Sequence, residues 1–145
     1  MIRTGPREIA AGDVRLREVT LADAPELFRW RMDAASRPMF RSTAPVPYET
    51  HLDFMARYFS PGNTDRWFVI EHEGAAVGTI TLYDLDAVAR DAEWGRLVIA
   101  PERRGRGHAS RALALLVRHA RDLGLRRLRC DVLAGNTREI GRAHV

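Results

Sequence analysis

The segment Pro101-Glu102-Arg103-Arg104-Gly105-Arg106-Gly107-His108-Ala109 is the part of this 145-residue chain whose residue types best suit chemistry. It follows the apolar run Leu97-Val98-Ile99 and precedes a helical pattern, so it reads as strand, glycine-rich turn and helix start. The first N–H groups of a helix lack carbonyl partners and lie at the positive end of its dipole, which suits a phosphate or pyrophosphate. Gly105 and Gly107 let the backbone approach such a ligand without a Cβ in the way, and Ala109 keeps the helix start close. Arg103, Arg104 and Arg106 add positive charge. The turn is not a Walker loop, since no Gly-Lys-Ser/Thr follows, and its glycine spacing differs from the dinucleotide fingerprint. His108 reads as a surface or amide contributor rather than a base. His51, His72 and His119 show no metal-ligand spacing, so no metal is expected. Cys130 reads as a small buried residue, and Trp30, Trp67 and Trp94 as core or rim aromatics.

Positioning such a turn requires a strand before it and an amphipathic helix after it. Asp91 to Ile99 has strand character, and Ala109, Leu113, Leu116, Val117 and Ala120 recur at helical spacing until Gly124 stops them. Upstream, Trp67–His72, a tight turn at Glu73-Gly74 and Ala76–Leu82 predict a hairpin. Val14 to Val19 alternates apolar and charged residues, the pattern of a half-buried strand. Thr20 with Asp23 then caps a helix to about Asp33, with Leu21, Ala24, Leu27, Phe28 and Arg31 on one stripe. A proline-bearing loop, Ala34 to Pro47, leads to a second helix from Tyr48 to Phe59. Leu125 to Leu133 returns as a strand, and Asn136 opens another helix. The order predicts an α+β layered fold, helices against one mixed sheet.

Length and composition bound the reading further. A chain of 145 residues, 46% hydrophobic and 29% charged, is expected to form one domain. No run approaches the roughly 20 apolar residues of a membrane span, and one cysteine forms no internal disulfide. A cytoplasmic setting is the expectation, with no membrane partner. All 23 basic residues are arginine and the net charge is +4, which favours an anionic ligand. A nucleic-acid reading is disfavoured because the arginines are scattered through every element instead of forming one stripe with interleaved aromatics.

At Arg104, Gly107 and Ala109, preceded by Pro101, the sequence resembles the signature of the GNAT superfamily of acetyl-CoA-dependent N-acetyltransferases. The resemblance extends over Val14 to Asp33, the hairpin around Gly74 and Gly78, the strand before the turn, and Cys130-Asp131-Val132-Leu133-Ala134-Gly135-Asn136-Thr137. It implies a mostly antiparallel central sheet with a V-shaped splay between its fourth and fifth strands. It implies, further, that the amides of Gly105, Arg106, Gly107, His108, Ala109 and Ser110 bind the pyrophosphate of acetyl-CoA. Leu97, Val98 and Ile99 would pair their backbone with the pantetheine arm, and Asn136 would touch it or hold water. Glu93, eleven residues before Arg104, stands where some members place a catalytic base. Tyr83, Asp84 and Asp86 are further candidates for lining the acceptor cleft, and Trp30 is placed with Tyr83 on the substrate side. The implied reaction is direct attack of a primary amine on the thioester in a ternary complex, with no covalent enzyme intermediate and no metal.

Leu27 to Asp33, His51 and Ala92-Glu93-Trp94-Gly95 are similar to the branch acting on ribosomal-protein N-termini and on nucleotide-linked amino sugars. The acceptor is accordingly a small amine, an amino sugar or a protein N-terminus, and the enzyme a monomer or homodimer. The end of the chain departs from the family: the position of the tyrosine that usually protonates the departing thiolate is Ala143. Ile140-Gly141-Arg142-Ala143-His144-Val145 matches the translation of a common sequencing-adapter oligonucleotide. The expectation is a single domain over residues 1–138, a non-native tail over 139–145, missing final helix and strands, a bare edge on the last strand, and weak activity. The competing reading is a non-catalytic CoA-binding regulatory module.

Overall fold

A computed structural model describes residues 8–33 and 45–130, together with the backbone of 143–144. The strands are β1 (Glu8–Ala11), β2 (Val14–Glu18), β3 (Arg66–His72), β4 (Ala75–Asp86), β5 (Asp91–Ile99), β6 (Arg127–Arg129) and β7 (Ala143–His144). The helices are α1 (Ala24–Met32), α2 (Tyr48–Tyr58) and α3 (His108–Asp122). The strands form one sheet in chain order, antiparallel throughout except for the parallel pair β5 and β6. This is the expected mixed α+β architecture, with one added strand at the start, so the expected fourth and fifth strands are β5 and β6.

The sheet has two covered faces because its strands alternate apolar side chains in both directions. Phe68, Ile70, Ile80, Leu82, Ala92, Trp94 and Leu128 meet α3 through Ala112, Leu115, Leu116 and Ala120. Trp67, Val69 and Val98 meet α1 and α2 through Leu27, Trp30, Met55 and Tyr58. At the β3–β4 turn, Glu73 and Gly74 both have positive φ, 50° and 83°, the handedness that matches the twist of a two-residue hairpin.

Two features position the site. Among the described residues the ladder between β5 and β6 runs from Asp91↔Arg127 to Glu93↔Arg129, while β5 continues to Ile99 along β4. The described ladder ends at Glu93, and the residues from 131 onward that would decide the expected splay lie outside the described residues. A bulge on β5 comes next: Thr79 faces Val98 and Thr81 faces Gly95, so Arg96 and Leu97 share the place of one residue. Arg96 adopts φ 49°, and its carbonyl accepts a hydrogen bond from Thr79 Oγ1 at 3.2 Å.

Two expectations are corrected here. β6 does not carry a bare edge, because the chain returns and Ala143 and His144 pair antiparallel with Leu128 and Arg127. The α1 stripe is rotated: Leu21 is 59% exposed, whereas Trp30 is 1% exposed in the core. A 3-10 turn at Leu21–Asp23 precedes α1 and breaks the 3.6-residue phase. The Thr20 cap forms as expected, its N–H donating to Asp23 Oδ2 at 2.8 Å.

His119 of α3 lies buried edge-on to Phe68, ring centroids 5.5 Å apart. Burial, helped by the charge of Arg66, pushes its pKa down to about 4 from an ordinary 6.5. The folded protein therefore takes up this proton less readily than the unfolded chain, so its contribution is full above about pH 6.5 and is lost as pH falls toward 4. The expected loss is about 3 kcal/mol. Urea denaturation at pH 7 and pH 4.5 should show it, and His119→Leu should flatten the stability profile across that window.

Candidate active site

The turn after β5 is built from successive local bonds. Ala100 N–H donates to Val77 O (2.8 Å), Arg103 N–H to Ala100 O (2.8 Å), and α3 opens with Arg111 N–H bonded to Gly107 O (3.2 Å). Gly105 and Gly107 have φ 78° and 80°, a conformation costly for other residues. A Cβ added at either would meet nothing within 4 Å, so the glycine requirement here is one of backbone handedness rather than space. Among the described residues, the N–H groups of His108, Ala109 and Ser110 donate to no backbone carbonyl. Arg111 instead turns its guanidinium back onto the turn's carbonyls, with Nη2 3.1 Å from Arg106 O and Nε 3.3 Å from Gly107 O. Carbonyls are thus satisfied from the helix side, and amides at a helix N-terminus beside Arg103, Arg104 and Arg106 form a cradle that fits an anion.

Leu97, Val98 and Ile99 lead into this cradle. Val98 packs into the α1/α2 core, and Leu97 and Ile99 pack against the α3 core. Their side chains are committed to packing, which leaves the backbone as the group an extended ligand can engage. Arg104 does not simply project toward such a ligand: Nε donates to Ile99 O (3.2 Å) and Nη2 to Asp33 Oδ2 (3.0 Å). His108, expected at the surface, is buried, and its Nδ1 lies 2.9 Å from Arg111 Nη2. Burial pushes its pKa down, with the charges of His72, Arg111, Arg106 and Arg103 adding to the effect.

Glu93 sits at the end of the described β5–β6 ladder. Tyr83 is its β4 partner and Arg129 its β6 partner. Arg129 Nη1 donates to Glu93 Oε1 at 3.0 Å, and Arg129 Nη2 and Arg127 Nη2 reach Asp91 at 3.4 and 2.8 Å. Arg127 first, with Arg129, holds the Asp91 carboxyl below its ordinary range. Beside Glu93, Arg96 lies over the rings of Phe54 (4.8 Å) and Tyr83 (5.0 Å). A Cβ at Gly95 would come within 2.7 Å of the Tyr83 hydroxyl, so this glycine is what lets the Tyr83 ring lie across β5. Arg31 also approaches Phe54, at 5.8 Å; burial and then the neighbouring Arg96 charge lower its pKa.

The structure therefore brings together Glu93, Tyr83, Leu97, Val98, Ile99 and the turn to Ser110 along one strand and its exit. Trp30, expected with Tyr83 on the substrate side, is instead in the core under α1 and offers almost no surface to a substrate. Asp86 is a turn residue, its Oδ1 accepting from Val88 and Ala89 N–H at 2.9 Å each. Asp84 is exposed, with φ 51°. His51 is buried against Phe28 and Tyr48. Asn136 lies outside the described residues. Sequence reasoning missed Arg96, Arg127 and Arg129. The last two did carry a signal, since Asp91-Ala92-Glu93 and Arg127-Leu128-Arg129 are charge-complementary at the same two-residue spacing. Asp13, His72 and Glu73 also converge, with donor atoms within 4.8 Å, from two turns far apart in sequence. There His72 Nε2 and Asp13 Oδ2 form a 2.8 Å hydrogen bond.

Comparison with known proteins agrees with this fold. The spermidine N-acetyltransferase of Vibrio cholerae in complex with CoA and spermine superposes with a TM-score of 0.74 at 19% identity, over 86% of this chain and 73% of that one. A chimera of the Vibrio cholerae spermidine N-acetyltransferase gives 0.74 at 20% identity, over 86% and 74% of the two chains. A protein of T. thermophilus assigned as an acetyltransferase gives 0.75 at 23% identity, over 94% and 72%. At these identities the likeness is one of fold. No curated protein matches the sequence. The sequence itself matches the acetyltransferase (GNAT) domain over residues 13–141, and on that match, with the mixed sheet and glycine turn in place, the chain belongs to the GNAT acetyltransferase family.

Proposed function

We propose that this protein transfers the acetyl group of acetyl-CoA to the primary amine of a small molecule, by direct attack within a ternary complex. The observation that carries the reading is the succession along one strand and its exit of an acidic side chain (Glu93), a stretch whose side chains are committed to packing (Leu97 to Ile99) and an anion cradle (Gly105 to Ser110). The cradle holds the pyrophosphate, the strand aligns the thioester arm, and Glu93 accepts the proton that the attacking amine must lose, directly or through one water. Arg129 keeps that carboxylate oriented from the neighbouring strand. Solved neighbours that are spermidine N-acetyltransferases support a small amine over a protein N-terminus, and one of them binds CoA.

The test is CoA thiol release from acetyl-CoA against a panel holding spermidine, an amino sugar, a nucleotide-linked amino sugar and an N-terminal peptide. Amine-dependent release with a small acceptor is the expected result. Tight acetyl-CoA binding with no release against any amine would instead favour a CoA-binding regulatory module.

A further inference from the structure

We propose that Asp33 and Arg104, reinforced by Arg29 and Glu102, are positioning residues that transmit occupancy of the cofactor turn to the end of α1. This rests on the acetyl-transfer reading above. On α1 and its end, Arg29 and Asp33 are four residues apart and lie on one helical face. On the turn, Glu102 and Arg104 flank Arg103. The two segments meet with opposite charges in matching order: Arg29 Nη2 lies 2.8 Å from Glu102 Oε1, and Arg104 Nη2 lies 3.0 Å from Asp33 Oδ2.

Three further observations make this a mechanical connection rather than two solvated pairs. Arg104 is also bound through Nε to the carbonyl of Ile99, the last residue of β5, so Asp33 grips a side chain anchored at the strand end. Leu27 and Trp30 of α1 share a core with Val98 and Ala100, so helix and turn rest on the same floor. Asp33 is the residue at which the backbone leaves helical geometry, with ψ 130°, and heads toward α2. A ligand that fixes the turn therefore fixes the end of α1. Arg29 also bonds Glu26 at 2.8 Å, so its pair with Glu102 is shared and Asp33–Arg104 carries most of the effect.

The first test needs no ligand. In Arg104→Gln, amide hydrogen exchange at Trp30 to Asp33 should quicken about threefold, the scale of one partly exposed ion pair. Unchanged exchange there overturns the proposal. The second uses CoA: saturating CoA should slow exchange at the same amides in the wild type, and Asp33→Asn should abolish that response while binding CoA with an affinity within twofold of wild type. A merely structural role would lower overall stability and leave the response to CoA intact, which also overturns the proposal. The double variant Asp33→Asn/Arg104→Gln should respond no less than Arg104→Gln alone, and additive losses count against a direct pair. Calorimetric titration of acetyl-CoA into the wild type tests the underlying reading separately: no binding there overturns the acetyl-transfer assignment, while the ligand-free exchange result still decides the contact between turn and helix.

Discussion

Gly107→Glu should lower acetyl-CoA affinity by about a thousandfold and leave the fold standing. The substitution places a carboxylate at the N-cap of α3, in front of the His108, Ala109 and Ser110 amides that the pyrophosphate would occupy. The new charge occupies or repels from the site, and like charges a few ångströms apart there cost several kcal/mol at low effective dielectric. The fold should survive because a Cβ at this position meets no atom within 4 Å. What remains is the strain of a non-glycine residue at φ 80°, about 1 to 2 kcal/mol. Gly107→Asn separates the two effects, since asparagine tolerates that conformation and adds no charge. It should bind acetyl-CoA within about tenfold of wild type, because one backbone strain term of this size is all that it pays. Isothermal titration of the three proteins, each first checked by thermal melting, reads the result. Wild-type binding by Gly107→Glu would place the cofactor elsewhere on the molecule.

Glu93→Gln should reduce kcat by at least about a hundredfold with little change in the acceptor KM, the range for loss of a general base. Glutamine keeps the shape and a hydrogen-bond acceptor for Arg129, so the pair itself should persist. Arg129 also keeps its 3.4 Å contact with Asp91, so no guanidinium is stranded by the change. Arg129→Gln is the complementary probe, because it leaves the carboxylate and removes its orienting partner. It should cost about tenfold, as a misplaced base does. If Glu93→Gln retains a third or more of wild-type kcat, proton transfer belongs to another group, and Tyr83, opposite on β4, is the next to substitute.

What could be read from the sequence was whatever depends on local pattern. The apolar period of α3, the positive-φ pair Glu73-Gly74 and the glycine turn each follow from residues within one element. The α3 stripe lies about one residue off its expected phase, since Ala112, Leu115 and His119 are buried where Ala109, Leu113 and Val117 were expected to lead. Departures from pattern were hidden. β1 was missed because Glu8-Ile9-Ala10-Ala11 offers one inward apolar side chain, Ile9, and depends on β2 for its pairing. The rotation of α1 came from a 3-10 turn that no residue type announces. The bulge at Arg96 was invisible for the opposite reason, since a left-handed arginine breaks the rule that glycine marks such positions. At the site, the cradle was legible because its chemistry lies in consecutive residues. The Glu93–Arg129 pair was not, because it needs the parallel register of two strands 36 positions apart.

The end of the described β5–β6 ladder at Glu93 has a thermodynamic side. From Trp94 to Ile99, β5 has a ladder partner on the β4 side, and among the described residues none on the other. Among the described residues, the amide groups of that stretch that point away from β4 have no ladder partner. An extended ligand lying along that edge would complete the sheet as an added strand does, so that protein and guest would share one hydrogen-bonded lattice. Folding and occupancy are then linked equilibria. At a hundred times its Kd such a guest adds about 2.7 kcal/mol to the folded state, and the melting temperature becomes a readout of ligand concentration.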